Sequence, residues 1–226
     1  TLFTTDVKTS GNSIKGLMGA GGMLLERATT LPNSQEKTDL LNQSIQYLQR
    51  GTLLLPEELN TYRLLGNAHL ERDGINNETV EAYKEVFIQN PGDGFTIQNV
   101  ERVMSNQGYS PQNRLNFGLN FLQEMPGSDI LHFQLGTIYG QTLGDISSSL
   151  LYLKRAVDLL PDNLDYLKNY GTALAISGDY AGSIVYFEQA IKLSANDKQA
   201  LSGLALSYQN LGQLEQAEYY RNLANQ

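Results

Sequence analysis

The segment 164–195, LDYLKNYGTALAISGDYAGSIVYFEQAIKLSA, shows the pattern from which the chain is built. Leu167, Tyr170, Gly171 and Leu174 recur at helical spacing and make one apolar stripe. Gly178-Asp179 then interrupts the run with a turn. Ile184, Phe187 and Ile191 form a second stripe, with Ala190 inside it. The pattern predicts a helix, a turn and a second helix. Small residues at Gly171 and Ala190 let the two helices approach closely, and Phe187 fills the space around them.

This unit recurs. Pro56, Pro91, Pro126 and Pro161 stand at successive intervals of 35 residues, in a chain with only 6 prolines. Other positions repeat at 34: Gly144, Gly178 and Gly212; Ala156, Ala190 and Ala224; Gly171 and Ala205. Self-similarity at this period marks stacked supersecondary units rather than one continuous globular core. The prolines are expected just after second helices, where a residue lacking an N–H ends a helix at little cost.

The residues resemble the tetratricopeptide repeat family. Residues 198–226 match its pattern through Leu201, Leu204, Ala205, Tyr208, Gly212, Ala217 and Ala224. Residues 129–161 match through Leu135, Gly136, Tyr139, Gly144, Ala156 and Pro161, with one residue inserted before Gly144. Residues 59–91 match through Tyr62, Leu65, Gly66, Tyr83 and Pro91. Residues 94–126 are degenerate, with Gly118 and Phe121 where the family has an aromatic and an alanine. Residues 12–56 fit through Gly21, Leu24 and Pro56, with a long loop expected near Thr29–Glu36.

The resemblance implies an all-α fold, a single right-handed superhelical solenoid of about six helix–turn–helix repeats over residues 1–226. The repeats fall at about 12–58, 59–93, 94–128, 129–163, 164–197 and 198–226. Residues 1–11 read as a truncated half-repeat or linker, and the polar last helix, with Arg221 at a usually apolar position, as a cap. The string LFTTDVKTSGNSIKG, residues 2–16, also resembles the junction before the C-terminal repeats of bacterial multi-spanning, protein O-mannosyltransferase-like membrane proteins. That resemblance implies an extracytoplasmic domain tethered through an upstream membrane segment; without such a segment the chain would be cytoplasmic. The chain begins at Thr1 without a signal-peptide pattern, which reads as a processed chain or an excised piece.

Composition narrows the function classes. A net charge of -8 with no basic cluster argues against nucleic acid, whose phosphates require grouped Lys and Arg. With 0 cysteines, neither a disulfide framework nor a thiolate metal site is available. No run approaches the ~20 apolar residues of a membrane span.

The candidate chemistry has plainer explanations. GLMGAGG at 16–22 lacks the strand before it and the Gly-Lys-Ser/Thr of a phosphate loop, so it reads as a closely packed first helix. His69 and His132 occupy aromatic positions of the repeat and read as packing residues, since metal and acid–base sites need several converging groups. Glu57 and Glu58 follow Pro56 at a helix start, where negative charge suits the helix dipole. No nucleophile–base–acid trio has a supporting spacing, so no catalytic, metal or cofactor residues are assigned.

Binding is the remaining reading. In such arrays the first helices line a concave surface. Aligned units place Arg63, Asn67 and Glu71 there, with Gln98, Asn99 and Arg102, then Phe133 and Thr137, then Lys168 and Thr172. Arg63, Asn67 and Asn99 partly resemble the family's clamp for a peptide carboxylate, but its later basic positions fall on Ile130 and Gln134. A groove of this composition suits a protein or peptide segment, while the same residues would also serve as ordinary solvated groups. The expected function is a non-enzymatic interaction scaffold; the alternative is an accessory domain that recruits acceptor protein to a membrane-bound glycosyltransferase.

Overall fold

The structure, a computed structural model, describes residues 13–74, 76–90, 94–106 and 108–225. The N-terminal half-repeat expected at 1–11, most of the string 2–16, and Pro91 lie outside the described residues. Those described form helices joined by short connections, with no strand among them. The chain is all-α, built from successive helix pairs, and it divides into two compact units at Tyr109 and Ser110. The division falls inside 94–128, the repeat whose signature is most degenerate.

The first unit contains α1 (Ile14–Thr29), α2 (Gln35–Leu54), α3 (Leu59–Asp73), α4 (Asn77–Gln89) and α5 (Gly94–Asn106). The connection expected near Thr29–Glu36 is reduced to Thr30–Ser34, because α1 runs on to Thr29 and Ser34 caps α2 immediately. Side-chain oxygens of Ser13, Ser34 and Asn76 accept from backbone N–H groups of the following first turns. Such caps satisfy donors that have no partner within the helix. Glu58 is itself a cap, its Oε1 accepting from Asn60 N at 3.1 Å.

α1 packs on α2, and Leu25, Ala28, Leu41, Ile45 and Leu48 form the buried seam with Leu65 and Ala68 of α3. Gly21 makes that approach possible: a Cβ there would lie 2.6 Å from Leu48 Cγ. Ser44 Oγ donates to the Gly21 carbonyl at 2.7 Å in the same buried seam. GLMGAGG is therefore a packing surface. Gly66 plays the same part against the fully buried ring of Tyr83.

The second unit contains α6 (Pro111–Glu124), α7 (Asp129–Thr137), α8 (Ile146–Leu159), α9 (Leu164–Ser177), α10 (Tyr180–Leu193), α11 (Lys198–Asn210) and α12 (Leu214–Ala224). α7 continues into a π-helical turn at Ile138–Thr142, closed by Leu143 N donating to the Ile138 carbonyl at 3.1 Å. This is how the helix absorbs the residue inserted before Gly144: the turn widens and the stripe beyond keeps its register. Gly178 ends α9 at φ 90°, a left-handed conformation that suits glycine.

The pairing of α9 with α10 follows the stripes. Leu167, Tyr170, Leu174, Phe187 and Ala190 share one core cluster, and Phe187 Cε1 lies 3.1 Å from where a Gly171 Cβ would be. Both histidines are buried, as their repeat positions predict. On α12 Ala217 is buried, Leu214 and Tyr219 are exposed, and Arg221 reaches Gln209.

Candidate functional site

In the second unit the expected positions on the first helices meet an open cleft. Between α9 and α11 lies a space of about 540 Å³ whose wall includes Thr172, Ile176, Gln199, Ser202 and Leu206, with Phe187 among the lining residues. A smaller space of about 100 Å³ adjoins α7, the π turn and α9, lined by Thr137, Gly140, Gln141, Asn169, Thr172 and Ile176. Thr172 and Ile176 line both, so the two clefts adjoin along α9.

The larger cleft is mainly apolar. Ile176 is 63% and Leu206 53% exposed, high values for side chains that do not belong to the core. Amide and hydroxyl groups of Gln199, Ser202 and Asn210 stand beside them. Thr137 and Thr172 donate their hydroxyl protons to carbonyls one turn back, Phe133 O at 2.9 Å and Lys168 O at 2.8 Å.

Of the predicted positions, the structure brings Thr137 and Thr172 together here. Phe133 is partly buried and stacks on Tyr166, centroids 4.7 Å apart, while the Tyr166 hydroxyl donates to Asp129. Lys168 is almost enclosed, its Nζ 3.0 Å from Asp197 and 3.2 Å from Asp165. Desolvation pulls its pKa down, but hydrogen bonds to these carboxylates outweigh that and hold it above the ordinary lysine value. Asp197 also caps α11 by accepting from Ala200 N at 2.9 Å, so Lys168 ties α9 to the start of α11.

In the first unit, Arg63 Nε donates to Thr96 Oγ1 at 3.0 Å, linking α3 to α5. Asn67 accepts from the Tyr83 hydroxyl at 2.6 Å, and Glu71 faces Lys37 at 3.4 Å. Gln98, Asn99 and Arg102 lie on α5, and their side chains fall outside the described residues.

Ile176, Leu206, Ser202 and Asn210 were not among the predicted positions. Carrying the 34-residue register one unit further would have found two of them, since Ser202 and Leu206 correspond to the predicted Lys168 and Thr172, and Asn210 to Ile176. Ile176 itself stands one turn beyond Thr172 and outside the core stripe.

Comparison with known proteins adds to this geometry. Residues 165–197 match the sequence model of the tetratricopeptide repeat. A TPR repeat-containing protein of Methanocaldococcus jannaschii is 24% identical over 77% of this chain, which spans 33% of that relative's length. Among solved structures, MamA protein is similar with a TM-score of 0.55 and 19% identity, over 75% of this chain and 91% of its own. PilW, described as a widely conserved type IV pilus biogenesis factor, is similar with a TM-score of 0.53 and 13% identity, over 91% of each chain. At these identities the structural likeness speaks for the helical-repeat fold.

Proposed function

We propose that this helical-repeat chain, whose residues 165–197 match the tetratricopeptide repeat, is a non-enzymatic scaffold holding a partner's peptide segment against the α9–α11 cleft. The observation that carries the reading is the pair of exposed aliphatic side chains, Ile176 and Leu206, on adjacent first helices. An exposed apolar strip beside hydrogen-bonding groups suits an amphipathic or extended segment, with apolar anchors on the strip and backbone groups met by Gln199, Ser202 and Asn210. Affinity would draw on a wall already in place, because helices stacked on a common core require little ordering when the segment docks.

The test is selection of a displayed peptide library on the intact chain, followed by binding to an Ile176→Glu/Leu206→Glu variant. Selected peptides should lose at least about tenfold in affinity, in keeping with truncation of a small number of central anchors. An unchanged melting temperature must accompany the loss. Peptides that bind the variant equally well would remove the cleft from consideration.

A further inference from the structure

The first unit carries a pocket of a different character on α3. At roughly 100° per residue, positions 62, 65 and 69 share one helix face, nearly opposite the face of 63, 67 and 71. Tyr62, Leu65 and His69 line a space of about 300 Å³ with Glu78, Glu81 and Glu85 of α4, and Gln49 of α2 also contributes to its wall. The three glutamates follow one another at helical spacing, so α4 presents them together. No ion pair among the described residues uses any of them, whereas Arg27, Lys37 and Arg72 are paired with Glu36, Glu71 and Asp73.

A row of solvated carboxylates would need no explanation, but His69 does. The residue is only 3% exposed, and its Nδ1 is buried without a hydrogen-bond partner. A buried polar atom left unpaired is costly and rare, and here its residue is one of those lining the acidic pocket. Burial, with Arg72 adding to it and Asp73 and Glu78 only partly offsetting it, holds His69 below the ordinary histidine pKa, so near neutral pH the ring keeps one nitrogen as an acceptor. The pocket wall thus presents three carboxylates and the Gln49 side chain, with the His69 ring, the ring of Tyr62 and the apolar residues Leu65 and Ala82 beside them.

We propose that this pocket receives an arginine side chain presented by a partner protein. A guanidinium carries five N–H donors in a planar fork, pairs with carboxylates in bidentate geometry and stacks on aromatic faces. Its three-carbon stem suits the apolar wall of Leu65 and Ala82. A lysine ammonium is a compact, strongly hydrated point charge and uses neither the fork nor the ring. A metal ion fits less well, because no three His, Asp or Glu side chains among the described residues stand close enough together to hold one. The proposal is independent of the cleft in the second unit.

The test uses the intact chain in solution and the imidazole resonances of its two histidines, assigned with a His132→Gln variant. The probes are N-acetyl-arginine amide, its neutral citrulline counterpart, N-acetyl-lysine amide and calcium chloride. Arginine should shift the His69 signals saturably and leave those of His132 in place. Citrulline and lysine should bind at least about tenfold more weakly, the loss expected when a charge-assisted, forked contact is removed. Glu81→Gln/Glu85→Gln should weaken arginine binding by at least about the same factor, with melting unchanged because Glu81 is exposed and Glu85 partly so. A silent His69, equal binding of citrulline or lysine, a response to calcium alone, or undiminished binding by the double variant would each overturn the proposal. The citrulline and lysine comparisons need no variant and stand even if the substitutions perturb folding.

Discussion

At the scale of single residues, two neighbouring glycines have opposite roles. A Cβ on Gly22 would meet only Leu64 Cδ1 at 3.5 Å, an ordinary contact. Gly22→Ala should therefore stabilise the chain by about 0.5–1 kcal/mol, the usual gain from replacing a mid-helix glycine. Gly21→Ala should destabilise it, since Leu48 Cγ stands 2.6 Å away and is not the free end of a side chain. Urea denaturation of the two variants checks both signs. Ala190 is fully buried between packed helices, so Ala190→Phe should cost roughly 1–3 kcal/mol by overpacking. An unchanged midpoint would contradict the packing of α10.

The buried histidines add a pH dependence. Burial is the chief cause holding His69 and His132 below the ordinary value, with the Pro126 carbonyl partly offsetting it at His132. Both are therefore less protonated in the folded than in the unfolded chain. Their linkage contributes nothing well above about pH 6.5 and destabilises the fold as pH drops below it. Stability measured at about pH 7.5 and 5.5 should fall, and fall less in a His69→Gln/His132→Gln variant. An equal slope in the two proteins would show that other groups carry the effect.

At the scale of elements, Asp197 does two things at once. It caps α11 through Ala200 N and faces Lys168 of α9 across the helix junction. Asp197→Ala should lose the cap, about 0.5–2 kcal/mol, and also leave an enclosed ammonium short of a partner. Asp197→Asn keeps the cap and should recover part of that loss. Equal destabilisation by the two substitutions, read from thermal melting, would show that the cap contributes little. The π turn is the second instructive element. The spacing exposed an extra residue before Gly144, but an insertion can be taken up by a loop or within a helix; backbone bonding at Ile138–Leu143 placed it in the helix, beside the smaller cleft.

At the scale of the whole molecule, the chain divides where its repeat signature is weakest. Residues 110–226 contain α6 to α12 with a continuous core from Leu153 through Leu204. Because stacked repeats draw their stability from nearest neighbours, this part should fold by itself with a cooperative helical melt. Circular dichroism of the isolated segment tests this, and a non-cooperative trace would mean that the first unit is required.

Much of the fold was legible in the sequence, because a short repeat writes its packing into periodic positions. Proline and glycine marked the turns, stripes at helical spacing marked the seams, and small residues at Gly21, Gly66 and Gly171 marked close approach. The histidines and GLMGAGG were legible as packing for the same reason. Site residues were less legible. Periodicity tells which face a residue occupies but not which neighbour meets it, so the contacts of Lys168, Arg63 and Phe133 with neighbouring helices were not legible. The apolar cleft at Ile176 and Leu206, and the unpartnered His69 above three glutamates, depend on side chains from separate helices converging on one space. Local periodicity determines the helices and their buried stripes, whereas those convergences are set by how each helix pair docks on the next.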